Sequence, residues 1–316
     1  MTAPAKPLWH NPTGIAGIRT VLARLAHARR WNMPVIRFFF RLLVAGAHHQ
    51  KTPIFGPIYK RVLLFTPVER QHTSAILLPF NATAVPATIE VGADLAAQAD
   101  ASPLPIDLIK DCLRKSSYIG AMRTCVCRDA FGCTTHSHDV CCMFLSRSGR
   151  RVVSYGIADE MSLEDAFARV DRAAAEGLVG QALWVEVEQF VWGFHNSDMD
   201  GFLEICFCCP CCCTAMSVCR SAARDVKGHF RSSGYQAVLD GSLCTGCGDC
   251  VPGCIGEAIT MAAGAGRITI DLANCVGCGM CATTCATDAI AIARTKPVYP
   301  SIHQQLLEQS GLPLVV

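Results

Sequence analysis

The sequence has no uninterrupted apolar run of the roughly 18 residues that a membrane-spanning helix needs. TSAILLPFNATAVPATIEVG, beginning at Thr73, comes nearest and holds two prolines. No secretory leader is expected: WNMPVIRFFFRLLVAG starts only at Trp31 and is broken by Arg37 and Arg41. The residues after Arg29-Arg30 fit a twin-arginine export signal poorly. No phosphate-cradling glycine loop or nucleotide fingerprint occurs, so neither a flavin nor a nucleic-acid partner is expected. Charged residues are scarce, at 17%, while 51% of the chain is hydrophobic, ample for a core. The expectation is a soluble, cytoplasmic protein of two or three domains.

Charge is unevenly spread. Residues 1–72 carry +10, so the remainder carries −8 of a total of +2. Residues 14–46 read as a basic amphipathic helix, suited to a partner, to the inner face of a membrane, or to the chain's own acidic remainder. A Pro-rich stretch follows. A short helix is expected from Pro105, and a second over MSLEDAFARVDRAAAEGLVG. There Ser162 caps, Leu163, Phe167, Val170 and Ala174 share a face, and Gly177 ends the helix. LWVEVEQFVWGF is rich in strand formers, and Trp184, Trp192, Phe194 and Asn196 read as packing rather than as a pocket.

Against these absences stands an abundance: 21 cysteines. Dense cysteine has three common readings, namely a disulfide scaffold, a zinc module or an iron–sulfur protein, and disulfide scaffolds are typically short and secreted. CTGCGDCVPGC places Cys244, Cys247, Cys250 and Cys254 at C-x2-C-x2-C-x3-C spacing, and CVGCGMCATTC repeats it at Cys275, Cys278, Cys281 and Cys285. GEAITM follows the first run and TDAIAI the second, so the unit is duplicated. Three thiolates at such spacing line one side of a tight loop, and Gly246, Gly248, Gly277 and Gly279 let the backbone curl around them.

Residues 236–294 resemble the bacterial two-cluster ferredoxin. The resemblance implies one [4Fe–4S] cluster on Cys244, Cys247, Cys250 and Cys285, and another on Cys275, Cys278, Cys281 and Cys254. Ile255 and Ala286 stand where that family usually has proline. Zinc could use the same thiols, but the doubled spacing argues against it. Such clusters belong in a reducing compartment, so the other thiols are not disulfide partners by default.

Of the thirteen remaining cysteines, Cys112 and Cys219 read as buried thiols. The others are Cys125, Cys127, Cys133, Cys141 and Cys142, then Cys206, Cys208, Cys209, Cys211, Cys212 and Cys213. C-x-C-R, a Gly-Cys pair, a further cysteine, a GLV-ending helix, C-x-C-C-x-C-C-C and a dicluster domain together resemble a group of anaerobe ferredoxin-type proteins. Ten cysteines match, all those of the two sets except Cys142. The implied role is electron transfer with a redox partner or complex subunits. In an extended strand Cys206 and Cys208 face one side and Cys209 the other. Ten thiols suffice for one or two further clusters, cubane or five-cysteine; zinc and a redox-active thiol array are the alternatives. Arg128 is read either as offsetting cluster charge or as a surface salt bridge. His136 and His138 read as a solvent-exposed loop pair more than as ligands or proton shuttles.

The expected fold is α+β, a C-terminal dicluster ferredoxin-like domain plus an N-terminal helical, cysteine-rich domain. The expected divisions are a basic segment (1–72), a connector (73–103), a cysteine-rich domain (104–235), the dicluster domain (236–294) and a tail (295–316). The expected function is an electron relay. The alternative is a reductase subunit whose upstream cluster acts on a disulfide or similar substrate, and a zinc-stapled docking module is the third reading.

Overall fold

The computed structural model describes residues 26–62, 74–82, 105–184, 186–195, 198, 202–261 and 266–295. The start of the basic segment, most of the connector, Asn196, the Trp184 side chain and nearly all of the tail lie outside them.

The chain begins with α1 (Met33–Ala47), α2 (Phe55–Val62), β1 (Ser74–Pro79), α3 (Pro105–Lys115), β2 (Ile119–Met122) and α4 (Val126–Phe131). The middle runs β3 (Met143–Leu145), α5 (Ser146–Ser154), β4 (Ala158–Glu160), α6 (Leu163–Ala175), β5 (Val179–Trp184), α7 (Glu186–Trp192) and β6 (Glu204–Cys208). Then follow α8 (Thr214–Ser221), α9 (Arg224–Lys227), β7 (Phe230–Ser232), β8 (Tyr235–Leu239) and α10 (Cys250–Gly253). The described chain closes with β9 (Ile259–Met261), β10 (Ile268–Ile270), α11 (Met280–Thr284) and β11 (Ile290–Arg294).

Seven strands form one sheet in the order β4-β2-β3-β6-β5-β1-β7, antiparallel except for β1 with β7. The mixed α+β content is as expected, but the upstream region combines its helices with this sheet and is not helical alone. The strands escaped the sequence because β2, β3 and β6 are buried at every position. A short strand covered on both faces shows no alternation of apolar and polar residues. Strand β1 falls in the stretch expected to be a connector; it lies between β5 and β7, and its proline stands at its last residue.

Helix α6 starts as expected, the Ser162 hydroxyl accepting from the Asp165 N–H at 3.1 Å. Its buried stripe is Ala166, Val170 and Ala173, while Leu163 is exposed. The expected face is therefore rotated: small alanines let the helix lie close to the sheet. LWVEVEQFVWGF is strand only to Trp184 and then turns into α7. Trp192 and Phe194 pack edge-on against buried Phe144, with ring centroids 5.7 and 5.6 Å away. Such a pair contributes about 0.5–1.5 kcal/mol beyond its burial.

The sheet separates two cores. Ile76, Leu78, Ala182, Ile205 and Phe207 share one with α3 and α6. Ala75, Leu77, Val179, Leu183, Cys206 and Cys208 share the other with Met216 and Cys219 of α8 and with Ile255, Val276 and Met280 of the C-terminal module. In that module β8 pairs with β11 and β9 with β10, all antiparallel. An Ala82–Ile292 bridge ties the end of the β1 segment to it.

Helix α1 buries Ile36, Leu43, Gly46 and Ala47. Arg37 pairs with Asp129 at 2.9 Å, and the Arg41 guanidinium donates to the Ala130 carbonyl. One face of the basic segment therefore packs on the chain itself. The opposite face leaves Trp31, Val35, Phe38 and Leu42 exposed, with Ile54, Phe55 and Ile58 exposed in and before α2.

Candidate metal centres

In the C-terminal module each three-cysteine loop curls through glycines at positive φ: Gly246 (+71°) and Gly248 (+82°), then Gly277 (+70°) and Gly279 (+77°). A short helix follows each loop and delivers the fourth cysteine in extended conformation. The outcome is an exchange between the repeats. Cys254 joins Cys275, Cys278 and Cys281 around one cavity, and Cys285 joins Cys244, Cys247 and Cys250 around the other. Burial favours the neutral thiol of Cys278, pushing it up to about 12. A bound cation supplies the charge that makes such a group a thiolate. Ile255, in the place of the usual proline, is fully buried.

Loop geometry makes one prediction here. A Cβ on Gly277 would run into the Tyr235 carbonyl, at a φ that L side chains avoid. A Cβ on Gly253 meets nothing. Gly277→Ala is expected to lower iron by about four per chain, one cubane, while Gly253→Ala keeps the full content in the same iron assay.

The eleven upstream cysteines sort into three groups. Cys125, Cys127, Cys142, Cys206, Cys208, Cys209 and Cys213 line a chamber of about 130 Å³. That is roughly ten times the room a single water needs. Cys133, Cys209, Cys211 and Cys212 form a tight quartet at its edge, their sulfurs all within 4.8 Å of one another and Cys209 bordering both groups. Cys141 belongs to neither group: its thiol donates to the Met122 carbonyl at 2.7 Å, and burial pushes it up to about 12. Adjacent residues of an extended chain face opposite ways, so Cys141 turns into the core and Cys142 into the chamber. The structure brings Cys141 into neither sulfur group, and it sets Cys142, unmatched in the resemblance, at the chamber wall.

Strand β6 and the turn after it explain the sorting. The strand is buried at all five positions and aims Cys206 and Cys208 toward the β1–β5 face. Past it Cys209 and Cys212 pack with the opposite core, and Cys213 returns at the start of α8. Within the chamber Cys125 hydrogen-bonds Cys127, and that bond lowers Cys125 to about 7. Bonds from Cys206 and Cys213 likewise hold Cys208 well below the usual thiol range. Cys127 in turn faces Thr214 and the Cys213 sulfur.

Arg128 is not a surface residue. It is fully buried and donates to the carbonyls of Ser137 (2.7 Å), Val140 (2.6 Å) and Phe207 (2.7 Å). The charge lies between the two sulfur groups, against Cys125, Cys208 and Cys209, where thiolates favour it. His138 bonds the Cys133 carbonyl at 2.8 Å, and the Thr135 and His136 N–H groups serve the Cys133 sulfur. Neither imidazole joins a sulfur group.

Two chamber residues went unnoticed in the sequence. The Cys206 thiol donates to the Glu204 carboxylate at 2.9 Å and lies against Cys142. Burial, with Glu204 beside it, holds Glu188 well above the carboxylate range. Glu204 was findable, because it sits two residues before Cys206 on one strand face. Glu188 gave no signal, since its segment reads as strand rather than helix.

No curated protein and no solved structure matches the chain. Residues 243–289 match the family model of the 4Fe-4S dicluster domain, so this part of the chain is a ferredoxin-like dicluster domain, and its chemistry is that of iron–sulfur electron transfer.

Proposed function

We propose that the protein relays electrons between a redox partner and its own C-terminal clusters through a further iron–sulfur centre in the upstream chamber. The C-terminal ligand sets are Cys244, Cys247, Cys250 and Cys285, and Cys275, Cys278, Cys281 and Cys254. The chamber cluster is held by Cys125, Cys127, Cys208 and Cys213, with Arg128 offsetting its negative charge. When bound, these clusters supply one-electron chemistry, and the protein sets their potentials through burial, net charge and N–H···S bonds.

One observation carries this reading. Chamber sulfurs and cluster-loop residues share a single core, which holds Cys206, Cys208 and Cys213 together with Ile255, Val276, Cys278 and Met280. Helix α8 spans the two sites. It begins beside Cys213 and carries Cys219 against the Ile255 carbonyl at 3.6 Å, next to Cys254. Six residues of helix rise only about 9 Å, so the centres are near neighbours. Potentiometric EPR titration of the reduced protein tests this. Magnetic coupling between an upstream signal and a ferredoxin signal is expected, and an upstream region without a paramagnetic state would refute the relay.

A second reading, a reductase subunit, is favoured by Cys142, Cys206, Glu204 and Glu188. These are two thiols beside two buried carboxyl groups, inside a chamber with room for a small group. A cluster signal that shifts on adding a disulfide would move this reading to the front.

The apolar stripe of α1 and α2 suits peripheral contact with an anionic membrane surface, because exposed Arg29, Arg30 and Lys51 accompany it. No helix among the described residues is long and apolar enough to cross a membrane. The full chain is expected to sediment with phosphatidylglycerol vesicles and not with phosphatidylcholine ones. A Phe side chain contributes roughly 1.5–3 kcal/mol when buried, so Phe38→Glu should weaken binding roughly tenfold or more. Equal sedimentation of the variant would count against lipid as the occupant of this face.

A further inference from the structure

We propose that Cys133, Cys209, Cys211 and Cys212 form a closed site for a single tetrahedral zinc ion, separate from every iron–sulfur centre. Zinc–thiolate bonds of about 2.3 Å set the edges of a tetrahedron at about 3.8 Å. Cys133 and Cys211 stand 3.7 Å apart, and all four sulfurs lie within 4.8 Å of one another. A cubane instead binds each thiolate to a different corner iron and spreads the sulfurs wider. The structure carries its own comparison: among the described residues, no group drawn together this tightly contains a ferredoxin cysteine. The quartet fits an ion, and the ferredoxin quartets do not.

The donor set agrees. Four thiolates with no open position make a structural rather than a catalytic site. Three come from one tight turn, Cys209-Pro210-Cys211-Cys212, and the fourth from a loop 78 residues from Cys211. Around that fourth ligand the loop aims the Thr135 and His136 N–H groups at the sulfur. Arg128 sits against Cys209 on the buried side and offsets part of the net negative charge of a zinc tetrathiolate.

Position gives the ion its task. The turn it closes lies between Cys208 and Cys213, two of the thiols that line the chamber. A redox-inert ion there fixes the spacing of the chamber wall without taking up an electron itself. Zinc therefore staples the turn after β6 to the 133–138 loop and shapes the neighbouring site.

The test uses the full chain, purified anaerobically, with zinc and iron measured on the same sample. About one zinc per chain is expected, with a zinc-edge X-ray absorption shell of four sulfurs at about 2.3 Å. Cys211 is exposed, and Cys211→Ser is expected to abolish the zinc and leave iron per chain unchanged. Absence of zinc from the wild-type chain, a shell containing nitrogen or oxygen, or loss of iron in place of zinc from the variant would each overturn the proposal. The absorption measurement needs no variant, so a poorly folding Cys211→Ser does not protect the idea. Zinc and iron are read separately, so failure of the relay reading leaves this result interpretable.

Discussion

Replacing Cys213 with serine is expected to remove about four irons per chain and to leave the two C-terminal clusters in place. Cys213 is fully buried in the chamber wall, hydrogen-bonded to Cys208 and close to Cys127. Serine offers a harder, less acidic donor, and soft thiolates are what iron–sulfur clusters select. The dicluster cavities are lined by other cysteines, so their EPR signals should persist. Electron transfer from an external reductant through the upstream side should fall sharply, while direct reduction of the C-terminal clusters continues. Unchanged iron would remove Cys213 from the ligand set. Loss of all iron would mean that the chamber and the dicluster module fold as one metal-dependent unit.

Replacing Arg128 with leucine is expected to destabilise the upstream domain by at least about 3 kcal/mol. Its guanidinium satisfies three carbonyls from two parts of the chain, Ser137 and Val140 in the loop after α4 and Phe207 in β6. Leaving a buried polar group unpaired costs about 1–3 kcal/mol each. Arg128→Lys separates charge from geometry, because an ammonium keeps the positive charge but lacks the planar fork. If charge compensation is the main role, the lysine variant retains its iron while its unfolding midpoint falls. If the hydrogen bonds alone matter, both variants lose stability alike and iron follows stability. Chemical unfolding under nitrogen, with iron content read in parallel, separates the two.

The two halves of the molecule were unequally legible in the sequence. The doubled cysteine spacing indicates cluster loops, and the glycines within them adopt the positive φ that tight loops need. Ser162 likewise indicates the start of α6, because capping is a local interaction. The seven-stranded sheet was hidden. Segments such as IGAM and MFL are too short and too completely buried to alternate, and β1 finds its partners more than a hundred residues away. The sorting of upstream thiols depended on the same hidden sheet. Only once Cys142, just before β3, comes against Cys206 of the paired strand β6 does Cys142 enter the chamber and Cys141 leave it. Arg128, next to a cysteine in sequence, could be read equally as surface or interior. Its burial follows from two carbonyls of the nearby 137–140 loop and one of the distant strand β6.

Iron and acid-labile sulfide per chain, measured on anaerobically purified full-length protein together with EPR of its reduced form, test the central claim most directly. A dicluster module alone accounts for about eight irons. The account predicts about twelve irons with matching sulfide, and an additional signal that disappears in Cys213→Ser. Eight irons in the wild-type chain, with no signal beyond the two C-terminal clusters, would contradict it.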